Sequence, residues 1–130
     1  MHLELVECTK EYWEFVRILR NDERVLSGFV KSNFIDTKMQ LDYMKIHSKF
    51  YRISLVDGIP AGYVGVINED IRICTHPQYQ GIGVGKFMLT KCSEIWPTSF
   101  AKVKLDNEAS LKLFESCGYK KKYYILTKDN

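Results

Sequence analysis

The chain has 130 residues, 45% of them hydrophobic and 27% charged, with a formal net charge of +3. That is the length of one domain with apolar content enough for its own core, which excludes a disordered chain. No apolar run approaches the roughly 20 residues of a membrane helix, and the mild charge is not concentrated as in a nucleic-acid binder: Lys120-Lys121-Lys122 reads as a solvated turn.

Leu3 and Leu5 alternate with polar neighbours over residues 2–7, the period of a strand. Thr9 is placed to cap a helix running to about residue 20, with Tyr12, Phe15, Val16 and Leu19 as its apolar stripe. Residues 24–36 have no clean period; Ser27-Gly28 interrupts them, and Phe29, Val30 and Phe34 are apolar without regularity. Thr37-Lys38-Met39-Gln40 reads as a capping box that opens a helix through Leu41, Met44 and His47 to about residue 49. His47, alone near a helix end, reads as structural or exposed. Residues 50–56 alternate as a strand, Asp57-Gly58-Ile59-Pro60 turns, and residues 61–67 complete a hairpin. Gly62 and Gly65 inside that second strand predict weak packing or the close approach of another group. Asn68-Glu69-Asp70 then turns the chain back, so the sheet grows as an antiparallel meander.

From Ile71 the pattern becomes specific. Ile71, Ile73 and Thr75 alternate with Arg72, Cys74 and His76 as a strand with two faces, and Pro77 stops it. Gln80-Gly81-Ile82-Gly83-Val84-Gly85 follows, with three glycines at every second position, and then a helix with Val84, Phe87, Met88 and Ile95 on its apolar side. Strand, glycine-rich turn and helix make an anion cradle, because backbone without Cβ atoms approaches a ligand closely and the first helical N–H groups point at it. Glycines alone are equally compatible with a tight turn that holds nothing. The spacing excludes a dinucleotide fingerprint, which needs G-x-G-x-x-G, and a P-loop, which needs Gly where Gln80 stands and Ser or Thr where Phe87 stands. Trp96-Pro97-Thr98 ends the helix, and residues 100–105 predict a strand. Asp106-Asn107 leads into a last helix with Ala109, Leu113, Phe114 and Cys117 turned inward and Gly118 as its cap; residues 119–127 predict a last strand or short hairpin. Cys8, Cys74, Cys92 and Cys117 form no C-x-x-C pair, which predicts buried thiols rather than disulfides or a zinc site. With no signal-peptide pattern, the expectation is a soluble, cytoplasmic protein.

The glycine segment resembles the pyrophosphate loop of the GNAT acyltransferase superfamily, Q/R-x-x-G-x-G/A. Gln80, Gly83 and Gly85 occupy its defining positions, and His76-Pro77-Gln78-Tyr79 is similar to its usual lead-in. A second resemblance runs from Asn107 to Tyr119, where the family pattern is N-x-x-A/S-x-x-x-Y-x-x-x-G-F. Asn107, Ser110 and Gly118 match, Tyr119 stands in for the final Phe, and Phe114 departs from the tyrosine. The resemblance covers roughly residues 56–119; the first third agrees only in element order. It implies one domain over residues 1–130 with an α/β fold: a mixed, mostly antiparallel sheet flanked by helices and splayed where the central strand and the 100–105 strand diverge. It also implies acetyl-CoA as co-substrate and no metal. Gln80, Gly81, Ile82, Gly83, Val84, Gly85 and Lys86 would hold the pyrophosphate. Cys74 and Thr75 would flank the pantetheine arm, Asn107 and Phe114 would add cofactor contacts, and a backbone N–H near Thr75 would donate to the oxyanion. Residues 24–36 fall where the family shapes its acceptor pocket, though a plain connector fits them too.

The activity implied is acetyl transfer from acetyl-CoA directly to a primary amine. An amine is mostly protonated at pH 7, so a carboxylate base is useful. Glu69 and Asp70 lie where the family often places one; a solvated polar turn is the competing reading. Arg20-Asn21-Asp22-Glu23-Arg24-Val25 resembles the R-N-x-x-x-V opening of acetyltransferases for nucleotide-linked amino sugars. The expected acceptor is therefore such a sugar or another small amine, with a protein or ribosomal-protein amine as the alternative. A non-catalytic acyl-CoA-binding module is a further reading that Phe114 keeps open. Neither nucleic acid nor membrane is expected as a partner, and the chain is expected as a monomer or homodimer.

Overall fold

The computed structural model describes residues 1–30 and 33–128. Four strands, β1 (Leu3–Glu7), β2 (Tyr51–Val56), β3 (Ile59–Ile67) and β4 (Asp70–Thr75), form one antiparallel sheet in the order β1-β2-β3-β4. Turn chemistry sets this meander. Asp57 (φ 49°) and Gly58 (φ 82°) join β2 to β3, and Asn68 (φ 52°) and Glu69 (φ 66°) join β3 to β4. Two successive left-handed residues give the hairpin turn whose twist matches that of the flanking strands.

Helices cover both faces. On one side α1 (Trp13–Asn21) and α3 (Thr37–His47) bury Val16, Leu19 and Met44 against Ile53, Tyr63 and Cys74. On the other, α4 (Val84–Ile95) and α5 (Glu108–Ser116) bury Val84, Met88, Leu89 and Phe114 against Ala61, Val64 and Ile71. A sheet covered twice needs apolar residues at consecutive positions, which is why β2 and β3 are buried almost throughout.

The close approach expected at Gly62 and Gly65 is present. A Cβ at Gly65 would lie 2.5 Å from Tyr51 Cδ1 and 2.8 Å from the Phe50 carbonyl, and one at Gly62 would lie 2.7 Å from the Cys74 carbonyl. Gly65→Ala is therefore expected to destabilise the fold by about 1–3 kcal/mol through overpacking. The check is the urea midpoint, and an unchanged midpoint would mean that the Tyr51 ring yields freely.

Several expected boundaries are corrected. The cap of α3 is Asp36, whose Oδ1 accepts from Met39 N at 2.8 Å, because Thr37 is already helical. Gln40 instead turns inward and donates to the Trp13 carbonyl at 2.7 Å. Thr9 caps nothing through its side chain; a separate helical turn over Lys10–Tyr12 precedes α1. The irregular stretch holds a short helix, α2 (Glu23–Leu26), opened by Asp22 accepting from Arg24 N at 2.8 Å.

Residues 100–105 form no strand beyond one parallel bridge between Asp70 and Phe100. Ala101 and Val103 still pack on the core, but Leu105 is 99% exposed. Residues 119–127 form no strand either, and Tyr123, Tyr124, Ile125 and Leu126 face solvent. Both segments have strand-like composition; beyond the Phe100 bridge neither pairs with a strand among the described residues, and a strand exists only by pairing.

Candidate active site

The chain leaves β4 in a fixed way. His76 N donates to the Ala61 carbonyl at 2.7 Å, holding the strand end against β3, and Pro77–Tyr79 makes one helical turn. Gln80 Nε2 reaches back to the Thr75 carbonyl at 3.3 Å. Gly81 (φ 80°) and Gly83 (φ 95°) then take left-handed conformations that L side chains rarely adopt, and a Cβ at either would meet nothing within 4 Å. The first main-chain bond of α4 runs from Phe87 N to the Gly83 carbonyl at 3.0 Å. The N–H groups of Val84, Gly85 and Lys86 therefore point out of the helix N-terminus, where the helix dipole adds partial positive charge.

No acidic residue occupies that first turn, Lys86 is exposed there, and Ile82 projects at the loop's outer rim. Open space, aligned donors and positive charge fit a pyrophosphate. The missing side chain of Gly85 also serves packing. A Cβ there would come within 2.9 Å of Leu113 Cδ2, so its lack of a side chain lets α4 lie against α5. Val84 is buried and anchors the helix start.

The second feature is an open strand edge. Ile71 N donates to the Phe100 carbonyl and Phe100 N to the Glu69 carbonyl, both at 2.8 Å, after which the two segments part. Backbone groups alternate sides along a strand, so Ile73 and Thr75 turn the same way as Ile71, toward an edge that no strand among the described residues covers. An extended, peptide-like ligand can add there. Cys74 is corrected by the same alternation. Its backbone faces β3, its side chain is only 9% exposed, and burial pushes its thiol up to about 12. Ile73, not singled out from the sequence, has its backbone on the open edge.

Glu69 and Asp70 sit at the opposite end of β4 from the glycine loop. Glu69 is exposed on the hairpin tip, and its carboxylate makes no ion pair or hydrogen bond among the described residues. Asp70 faces two cations, Arg72 Nη2 at 3.6 Å and Lys102 Nζ at 3.7 Å. At ~3.3 Å per strand residue, Glu69 stands ~13 Å from Ile73 along the chain. Asn107 Oδ1 caps α5 by accepting from Ser110 N at 3.1 Å. Phe114 is 4% exposed and meets Tyr119 edge-on, with ring centroids 5.3 Å apart.

On the α1/α3 face lies a cavity of about 220 Å³ bordered by Arg20, Tyr43, Tyr51, Tyr63 and Arg72. Sequence patterning does not group these residues; the available signal was a polar Arg72 and Tyr63 within otherwise apolar strands. A wider groove of about 430 Å³, lined by Glu4, Phe87 and Lys91 among others, belongs to β1 at the far edge of the sheet and touches neither the loop glycines nor the open edge. Among the described residues no three His, Cys, Asp or Glu side chains gather as a metal site would need. No helix there is long and apolar enough to cross a membrane.

An open strand edge running into a glycine cradle at a helix N-terminus defines a class: an α/β protein that holds a phosphate-bearing, peptide-like co-substrate. The family model described as Acetyltransferase (GNAT) domain matches residues 14–121, and the chain belongs to that family. By that membership it is an acetyl-CoA-dependent N-acetyltransferase. No protein of curated function matches the sequence.

Solved structures share the fold. Spermidine N-acetyltransferase from Vibrio cholerae, in complex with CoA and spermine, is 18% identical with a TM-score of 0.82, covering 95% of this chain and 83% of its own. The aminoglycoside N-acetyltransferase AAC(6′)-Iy in complex with CoA is 16% identical with a TM-score of 0.73, covering 99% and 95%. Ribosomal-protein-alanine N-acetyltransferase from Brucella melitensis is 13% identical with a TM-score of 0.76, covering 88% and 83%.

Proposed function

We propose that residues 1–130 act as one domain that acetylates the primary amine of a small molecule, an amino sugar on a nucleotide among the candidates. The observation that carries this is the continuity of the open β4 edge with the glycine cradle. The amides of Val84, Gly85 and Lys86, with Gly81 and Gly83 beside them and the Lys86 ammonium nearby, hold the pyrophosphate; the Ile73 and Thr75 backbone holds the pantetheine arm. Acetyl-CoA supplies the acetyl group as an activated thioester. The chain supplies orientation, which is worth several kcal/mol when the reacting atoms are pre-aligned, and it manages the proton. The amine's nitrogen bonds the acetyl carbon as the carbon–sulfur bond breaks, and the amine's proton is balanced by one gained at the thiol. Glu69 is the candidate base, acting through water, since Asp70 is already engaged by Arg72 and Lys102.

A small acceptor is favoured over a protein by the size of the cavity that Arg72 borders, about 220 Å³. The four cysteines are all unpaired, which suits a reducing, cytoplasmic compartment. Neither nucleic acid nor membrane is a proposed partner, and the working unit is a monomer or homodimer. The test is calorimetric binding of acetyl-CoA together with thiol release across a panel of amines. Binding without turnover on any amine would favour the second reading, an acyl-CoA-binding module, which rests on Phe114 standing where the family pattern has tyrosine.

Phe114 gives a further prediction. Its ring is packed as core, so Phe114→Tyr changes little but the addition of one hydroxyl. The expected result is faster turnover with acetyl-CoA affinity nearly unchanged, measured by steady-state kinetics and calorimetry. An unchanged kcat would mean that the thiolate leaves unaided, as a thiol pKa of about 8.5 allows, or takes its proton elsewhere.

A further inference from the structure

The far edge of the sheet carries a pairing capacity that acetyl transfer does not use. β1 is the end strand and pairs with β2, from Leu3 opposite Val56 to Glu7 opposite Arg52, without a bulge. Asp57 N donates to the His2 carbonyl at 2.8 Å, so the His2 backbone faces β2. Backbone groups alternate sides along a strand, so Glu4 and Val6 face β2 as well, while Leu3, Leu5 and Glu7 turn outward. The Glu7 carbonyl accepts from Thr9 N at 2.9 Å. The three outward N–H groups, and the carbonyls of Leu3 and Leu5, meet no partner among the described residues. Native sheets blunt such an edge with proline, lysine or a bulge, and the strand LELVE has none of these.

Beside this edge lies the groove of about 430 Å³. Leu3, Leu5 and Glu7 border it from β1, and Phe87, Lys91 and Ile95 from one side of α4. Ile95 is exposed there. The Glu7 carboxylate makes no ion pair among the described residues. Lys91 has Glu94 at 3.8 Å, an exposed pair within one helix that contributes little. Both signs of charge, apolar side chains and unpaired backbone on one surface make it complementary to a copy of itself.

We propose that β1 pairs antiparallel with β1 of a second copy about a two-fold axis at Leu5, joining the two sheets into one. A ladder forms only where outward-facing residues stand opposite each other, which leaves few registers. With Leu5 opposite Leu5, Leu3 meets Glu7 of the second copy, Glu4 meets Val6, and the whole of β1 is used. Placing Leu3 opposite Leu5 would set Glu4 against Glu4, like charges directly opposed. Placing Leu5 opposite Glu7 would carry Leu3 to Thr9, beyond the end of the strand. The favoured register lays Glu7 of the second copy beside Leu3, over the groove that Lys91 borders. One rotation supplies this exchange in both directions, which singles out a second copy as the occupant. The inference does not rest on the transferase reading: β4 and its cradle lie at the opposite edge, so pairing leaves both cradles open.

Two measurements test it. Sedimentation equilibrium of the full chain, from micromolar to millimolar, should show a reversible dimer. Glu7→Pro leaves the β1–β2 ladder intact, because the N–H it removes points outward. It should raise the dissociation constant roughly 10- to 100-fold, the range of the two backbone hydrogen bonds lost across the axis. Lys91→Glu should weaken the dimer and the double variant Glu7→Lys, Lys91→Glu should restore it, which separates a paired charge from a damaged fold. A monomer at every concentration overturns the proposal and leaves the edge to a different strand. A dimer that no variant weakens overturns it too, by placing the interface elsewhere.

Amide hydrogen exchange on the parent protein needs no variant and locates the joint. Exchange at Leu3, Leu5 and Glu7 should slow as the concentration rises through the dissociation constant, while Glu4 and Val6, already bonded to β2, change little. Concentration-independent exchange at the three outward amides overturns the proposal. Acetyl-CoA affinity, measured by calorimetry, should be the same in Glu7→Pro as in the parent. Its absence in both would defeat the transferase reading and leave the dimer to be decided by the exchange data.

Discussion

Gly83→Val is expected to abolish measurable acetyl-CoA binding while the protein stays folded. Gly83 holds φ 95°, and valine in a left-handed conformation costs about 1–2 kcal/mol. The chain relieves that strain by rotating the loop, which turns the Val84, Gly85 and Lys86 amides away from their common focus. Each charge-assisted hydrogen bond lost to a phosphate is worth about 1.5–3 kcal/mol, so losing two exceeds a 100-fold drop in affinity. The fold survives because nothing lies within 4 Å of the new Cβ. Gly85→Ala is the contrasting variant: its Cβ presses on Leu113, so it should lower the melting temperature more than it lowers affinity. Calorimetry beside a thermal melt reads both. Unchanged affinity in folded Gly83→Val would remove the loop from the site.

What was legible in the sequence was local. The two hairpin turns, Asp57-Gly58 and Asn68-Glu69, carry their own conformational instructions, so the β2-β3-β4 meander could be read directly. The cradle was legible for the same reason, since Gly81 and Gly83 serve backbone conformations set within the loop. Gly85 was not: its constraint is Leu113, on another helix. The period of residues 71–76 separated two faces but could not say which edge of the strand would stay uncovered, so Ile73, whose backbone lies on that edge, was not singled out. Residues 100–105 and 119–127 have the composition of strands, yet pairing is decided by neighbours that composition does not name. Arg20, Tyr63 and Arg72 meet only because α1, β3 and β4 stack, and no spacing along the chain announces it.

Glu69→Gln should lower turnover at neutral pH by roughly 100- to 10,000-fold if the carboxylate is the general base. Removing the base leaves only the fraction of amine already uncharged. That fraction rises about tenfold per pH unit below an amine pKa of about 10, so the variant should recover as pH rises while the parent changes less. The separation of Glu69 from Ile73 along β4 requires the proton to travel through water, and the effect should therefore fall toward the lower end of the range. Asp70→Asn distinguishes the two carboxylates. That carboxylate is already paired with Arg72 and Lys102, so its loss should leave kcat and its pH profile in place. A pH–rate series on both variants measures the difference. A flat response to both would assign the proton to bulk water and confine this end of β4 to holding the hairpin, in which case catalysis rests on how closely the cradle and the open edge align the reacting atoms.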